Sequence, residues 1–344
     1  MTRTTTKSSA SSARRPSMAR RVISCLGFAA AIAGTSSFVG CEEDFDPASK
    51  LNSLRVLAVK ADKPYPKPGE TVQLEMLWHD GKSPPDSPRP VQIVWLGGCF
   101  NPPGDLYYQC YQSLAEKFAQ LEKDPSLIDQ LLGFGDTFSV DIPDDLISGR
   151  PTVEGADPYG LTYVFFAACA GELKQAEPGP DGLPFGCFDA AGNRLGADDY
   201  VPGYLSLYSY DEKTNANPIL YGMFINGQLI DPATEPTYPR CTDSSCPNLK
   251  LNAAVDPASA ETNTGLVDSS GNALSEQMWV EYLATGGDID RSPRLVNDAT
   301  KGFNYDDNGT KYTPPSEAGR QYLFAVVRDN RGGVAWVKQP VMFE

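Results

Sequence analysis

The sequence predicts a mainly β chain: two β-sandwiches in tandem, the first carrying a small helical insertion. Three observations predict this. From Leu54 onward, short runs with an apolar residue at every second position recur between Pro, Gly and Asp punctuation, which is the pattern of strands with one buried face. The pattern is interrupted once, in the first half, by a stretch with helical spacing. One strand motif occurs twice, as Gly160-x-x-Tyr163-Val-Phe-Phe and Gly319-x-x-Tyr322-Leu-Phe-Ala.

Residues 1–40 hold six basic side chains (Arg3, Lys7, Arg14, Arg15, Arg20, Arg21) and no acid, followed by an apolar run from Val22 to Ile32. That run is far short of the roughly 20 helical residues that cross a bilayer, so the segment reads as a secretory signal peptide. A second start at Met18 would serve equally, and the arginine pair fits general secretion better than the twin-arginine route. The segment ends in Phe38-Val39-Gly40-Cys41, which resembles the lipobox of bacterial lipoproteins, with Phe38 in place of the usual leucine. The resemblance implies acylation of Cys41 and a lipid-anchored protein of the cell envelope, at the outer membrane. Residues 41–50 are polar and read as the tether.

Removal of residues 1–40 takes 6 of the 29 basic side chains and none of the 44 acidic ones, so 23 face 44 and the mature net charge is −21. Phosphate backbones are held by Lys and Arg clusters, and a chain this acidic is not expected to bind nucleic acid. The expected partners are the membrane, through Cys41, and an envelope protein or polysaccharide.

The first sandwich is expected over residues 51–210. Val72, Leu74, Met76 and Trp78 share one strand face, and Val91 to Leu96 form the next strand, around Trp95. The insertion, about residues 100–150, places Leu114, Phe118 and Leu121 at i, i+4 and i+7. Asp124-Pro125 then caps a second helix over Ser126 to Leu132, which Gly133 ends. Strands resume at Leu161 to Cys169 and Tyr204 to Tyr210. Residues 211–218 read as a linker, and a second sandwich fills 219–344. There Leu249, Leu251, Ala253 and Val255 alternate with polar residues, Trp279 marks a central strand, and Tyr322 to Val327 pairs with Val334 to Val341 in a terminal hairpin.

Each half thus carries a tryptophan strand (Trp95, Trp279) ahead of a tyrosine strand (Tyr163, Tyr322), the order found in immunoglobulin-type sandwiches, where the tryptophan fills the core and the tyrosine ties a corner. Gln277-Met-Trp-Val-Glu-Tyr282, Ala284-Thr-Gly-Gly287 and the segment Val326 to Trp336 resemble immunoglobulin-like and PKD-like modules of surface lipoproteins of myxobacteria. That resemblance implies an extracytoplasmic sandwich and no particular activity.

Cys25 leaves with the signal and Cys41 takes lipid, so six of the eight cysteines remain. An even set in an oxidising compartment reads as disulfides, and local loops close most readily. The expected pairs are Cys99 with Cys110, Cys169 with Cys187, and Cys241 with Cys246. Zinc at the last pair would need further Cys or His ligands nearby.

Catalysis is not expected. Ser or Cys nucleophiles need a base, and the one histidine, His79, falls at a strand end in His79-Asp80-Gly81 and is read as a turn residue. No nucleophile elbow, phosphate loop or dinucleotide fingerprint occurs. A glycosidase needs only two carboxylates, so a carbohydrate-active or carbohydrate-binding surface protein is the first alternative. The second is a calcium-stabilised adhesive module. Asn304, Asp306, Asn308 and Gly309 match positions 1, 3, 5 and 6 of a calcium loop, but Pro315 stands where the bidentate acid belongs, and an Asn-Gly turn explains the same residues. Asp288, Asp290, Asp306 and Asp307 are the other acids that loops at a sandwich end would gather. Tyr107, Tyr108 and Tyr111, beside Cys99 and Cys110, are candidates for a rigid binding surface; the competing reading is that they dock the insertion.

Overall fold

A computed structural model describes residues 47–84, 87–121, 128–151, 155–177, 185–243, 246–262, 264–305 and 307–344. Residues 1–40, read as a signal peptide, Cys41 and the expected helix cap Asp124-Pro125 lie outside these residues, as do Asp306 and the side chains of Phe118 and Leu121.

The first half contains β1 (Leu54–Ala61), β2 (Thr71–Asp80), β3 (Gln92–Phe100), β4 (Leu132–Phe134), β5 (Thr137–Asp141), β6 (Gly160–Cys169), the hairpin β7 (Glu172–Gln175) and β8 (Phe185–Phe188), and β9 (Tyr200–Ser209). Helices α1 (Cys110–Leu121) and α2 (Ile128–Leu131) lie between β3 and β4. The second half contains β10 (Leu220–Ile225), β11 (Gln228–Ile230), β12 (Thr237–Tyr238), β13 (Leu249–Val255), β14 (Met278–Ala284), β15 (Asp288–Ile289), β16 (Arg294–Asp298), β17 (Gly302–Phe303), β18 (Thr310–Thr313), β19 (Gly319–Asp329) and β20 (Val334–Phe343).

Two sheets face each other in each half. In the first, β1-β2-β5 packs on β4-β3-β6-β9; in the second, β11-β10-β13-β18-β15 packs on β12-β20-β19-β14-β16-β17. Stripped of its added strands, each half has the same order: first, second and fifth strand in one sheet, then fourth, third, sixth and last in the other. That is an immunoglobulin-like sandwich built twice.

The repeat is exact in register but not in side chains. Tyr163 maps to Tyr322 at an offset of 159 residues (322 less 163), and the same offset maps Phe166 to Ala325. Phe166 faces Trp95 across the ladder, and Ala325 faces Tyr282. Tyr282, not Trp279, therefore holds the place of Trp95. Both are fully buried, and each fastens its polar tip to the turn ahead of the fifth strand, Trp95 Nε1 to the Gly135 carbonyl at 2.8 Å and Tyr282 Oη to the Asn308 carbonyl at 2.9 Å. Trp279 is one residue out of phase and half-buried on the outside of the sheet.

Four expectations are corrected. Gly133 does not stop a helix but lies in β4 opposite Trp95, where a Cβ would stand 2.2 Å from the Phe138 ring. The insertion accordingly ends near Leu131, because β4 and β5 belong to the sandwich. The end of the tether is not free, since Ala284 donates to the Ser49 carbonyl and accepts from the Leu51 amide, at 2.9 and 3.0 Å. The linker is fastened on both sides: Lys67 Nζ donates to the carbonyls of Tyr210, Asp211 and Lys213, Arg331 donates to that of Thr214, and Asn217 bridges the Ala61 carbonyl and the Val334 amide. Polar composition marks a turn, but it does not say whether its donors find partners.

Each sandwich has its own core, centred on Trp95 in one and on Tyr282 in the other. Residues Asp46–Glu344 form one compact unit, joined by a further apolar cluster. Leu57, Ala58 and Leu77, on the outer face of β1 and β2, pack against Leu283, Phe324, Val326 and Val334, on the outer face of β14, β19 and β20. His79 belongs to this junction and not to a turn, with its ring centroid 5.7 Å from that of Phe324 and 6.1 Å from that of Tyr322. Burial, with Lys338 alongside, pushes its imidazole down to about 4.

Candidate tyrosine surface on the first sandwich

The disulfide Cys99–Cys110, with Cα atoms 5.5 Å apart, ties the start of α1 to the end of β3. Leu114 then buries on the outer face of β3 and β6, with Val94, Leu96, Leu161 and Phe165. Between the two cysteines the chain makes two short 3-10 turns, Pro103–Asp105 and Tyr107–Gln109. The first needs positive φ at Asn101, Gly104 and Asp105, a region that Asn and Asp tolerate better than other side chains.

A polar knot locks this loop. Arg150 donates to the Asp105 carboxylate at 2.7 Å and to the Tyr159 hydroxyl at 2.8 Å, and its guanidinium lies 4.1 Å over the Tyr159 ring. Tyr159 in turn donates to the same carboxylate, and Tyr163 donates to the Asp105 carbonyl at 2.8 Å. The Arg150 guanidinium holds the Asp105 carboxyl below its ordinary range. Asn101 completes the knot, donating to the Leu146 carbonyl at 2.6 Å and accepting from the Leu161 amide at 2.9 Å. Tyr163 is thus used on the outer face and not as a corner tie.

The candidates Tyr107, Tyr108 and Tyr111 divide. Tyr111 is half-buried against Phe165, with centroids 5.7 Å apart, and docks the insertion. Tyr107 and Tyr108 are 38% and 49% exposed. They are joined by two tyrosines that the sequence reading did not single out: Tyr204, 47% exposed, stacks on Tyr107 at 4.6 Å, and Tyr208, 37% exposed, lies beside Tyr159 and Tyr210. Both come from the edge strand β9, where tyrosines at positions 200, 204 and 208 keep an even spacing and so share one face. That spacing was the available signal.

The remaining candidates are engaged elsewhere. Cys169 and Cys187 are bonded, whereas Cys241 and Cys246, expected as a third disulfide, stand as thiols. Cys241 turns its sulfur to the Asp243 carbonyl at 3.3 Å, and its hydrogen bond to Cys246 pushes that thiol up to about 11. Asn304 accepts from the Asp307 amide, Asn308 accepts from Asn252, and Asp307 is paired with Arg294. Among the described residues no three acidic, Cys or His side chains gather as a metal site. Two hollows flank Arg150, one against Pro151 and Asp157, the other against Lys67, Asp144 and Ser148; in the second, Ser148 donates its hydroxyl to the Asp145 carbonyl and Lys67 its ammonium to the carbonyls of Tyr210, Asp211 and Lys213.

No protein-family model matches the chain, and no curated protein matches it. Among solved structures it is similar to dimeric latent PorU of Porphyromonas gingivalis, at 12% identity and a TM-score of 0.21 over 85% of this chain and 24% of that one. It is also similar to the chicken CNTN1 FN1-FN3 domains, at 9% identity and 0.18 over 84% and 64% of the chains, and to the α2-macroglobulin of Escherichia coli, at 10% and 0.20 over 87% and 22%. The chain thus spans about a quarter of PorU, and the fold assignment stands on strand order alone.

Proposed function

We propose that this protein is a lipid-anchored component of the cell envelope that acts by binding, without chemistry of its own, and that it binds through the tyrosine surface of the first sandwich. The observation that carries this reading is the set of four exposed tyrosines, 107, 108, 204 and 208, held on a strand and a disulfide-braced, hydrogen-bonded loop. Tyrosine offers a large amphipathic contact at low conformational cost, because only two torsions are fixed on binding. Anchoring at Cys41 is supported by the lipobox-like sequence. The chain leaves the fold where Ser49 pairs with Ala284, so in this reading the second sandwich is the part tied next to the bilayer.

The test uses intact cells. Cys41→Ser should move the protein from the membrane to the soluble fraction, and unchanged fractionation would refute the anchor. A photo-crosslinking residue at position 108 should capture an envelope component that the same residue at position 221, exposed on the second sandwich, does not. Equal capture at both positions, or none at either, would refute the binding surface.

A further inference from the structure

We infer that the occupant of the tyrosine surface is a neutral glycan chain, an inference that rests on the binding role proposed above. Three features of the surface select it: its size, its unused hydrogen-bonding groups and its charge.

The four tyrosines are between 37% and 49% exposed, which offers about 340 Å² in all at the middle of the 150–250 Å² a full aromatic side chain buries. A stable protein interface takes roughly 800 Å² from each partner. The row is less than half that size, and it suits a few consecutive sugar rings, whose C–H faces stack on aromatic rings while their hydroxyls reach the rim.

Among the described residues, the hydroxyls of Tyr107, Tyr108, Tyr204 and Tyr208 have no hydrogen-bond partner, in contrast to Tyr159 and Tyr163 of the supporting knot. They are turned to solvent and can both donate and accept, which matches a ligand whose groups are themselves hydroxyls.

The cations over Tyr159 and Tyr210, the rings that flank the row at Tyr208, are already neutralised. Arg150 is paired with Asp105 at 2.7 Å, and Lys213, whose ammonium lies 4.8 Å over the Tyr210 ring, is paired with Asp157 at 2.6 Å. Neither cation is left to attract a polyanion, and the chain as a whole carries a net charge of −15, which repels one. A uronate-rich or sulfated polysaccharide is thus disfavoured, and an uncharged one is accepted.

The test is electrophoresis of the full mature chain through native gels cast with laminarin, xylan or dextran, and with alginate as the polyanionic arm. At least one neutral polysaccharide should retard the protein while alginate does not. Tyr204→Ala and Tyr108→Ala should each weaken that retardation at least fivefold with an unchanged melting temperature, and Tyr204→Phe, which keeps the ring, should weaken it less. Passage through all three neutral gels without retardation, retardation by alginate, or retardation unaffected by both alanine variants would overturn the inference. Crosslinking at position 108 separates the two levels of the argument: capture of a protein and no glycan overturns the glycan alone, whereas no capture there overturns the binding surface as well.

Discussion

The outer face of β3 and β6 in the first sandwich and the outer face of β14 and β19 in the second are the same place in a repeated unit, and they are covered in different ways. Phe165 and Phe324 correspond at the 159-residue offset, and both are buried. Phe165 lies under the inserted helix α1, with Tyr111 and Leu114. Phe324 lies under the first sandwich, with Leu57, Ala58 and Leu77. An apolar sheet face exposed to water costs about 25 cal/mol per Å², so each copy has to be covered. The second copy uses its neighbour. The first uses its own chain, and the loop that braces this cover presents Tyr107 and Tyr108 beside β9.

The largest expected effect is at the junction. Phe324→Ala removes a fully buried ring and should cost about 3–5 kcal/mol, splitting calorimetric unfolding into two transitions as the sandwiches uncouple. A variant that still melts in one transition close to that of the parent would show that the neighbour is not the essential cover of this face.

The cover of the first sandwich should fail separately. Changing Cys99 and Cys110 together to serine opens a local disulfide and should cost about 2–4 kcal/mol, with faster amide exchange in β3, β6 and α1 and unchanged exchange in β14 and β19. Equal acceleration in both sets of strands would mean that the two covers are not independent.

The smallest effect is a pH dependence of opposite sign at two sites of the second sandwich and its junction. His79 has its pKa near 4 when folded and an ordinary value of 6.5. Its stabilising contribution is complete above pH 6.5 and falls by up to about 3 kcal/mol as the pH drops to 4. Glu276, buried beside Asp329 and paired with Arg331 at 2.6 Å, is pushed up by burial to about 7 from 4.5. Its folded form takes the proton more readily, so its contribution is complete below pH 4.5 and is lost as the pH rises to 7. His79→Gln should therefore leave a protein that gains stability on acidification from pH 7 to 4.5, and Glu276→Gln one that loses more than the parent does. Denaturant midpoints across that range measure both, and identical slopes in the two variants would refute the assignment of either group.

Much of the architecture was legible in the sequence because it is written in local period. Alternation marked the strands, the repeated Gly-x-x-Tyr motif marked the two units in their true register, and helical spacing placed the insertion. Disulfides 99–110 and 169–187 followed from short separation, though the same rule paired Cys241 with Cys246, which stand as thiols. What local period could not carry was anything decided by the far side of a contact. Trp279 and Tyr282 both lie in one strand of suitable pattern, and only the opposite sheet selects Tyr282 for the core. Residues 49–50 and 211–218 look like polar tether and linker, and only the donors and acceptors waiting at Ala284, Lys67 and Arg331 make them part of the fold. Tyr107 and Tyr204 are 97 positions apart (204 less 107) and stack only because α1 docks across β6 beside β9. The strands and their phase are thus properties of the sequence by itself, set by which side chains avoid water along a few residues. The junction, the pairing of Ser49 with Ala284 and the tyrosine row are tertiary, because each depends on surfaces that do not exist until the sandwiches that carry them have closed.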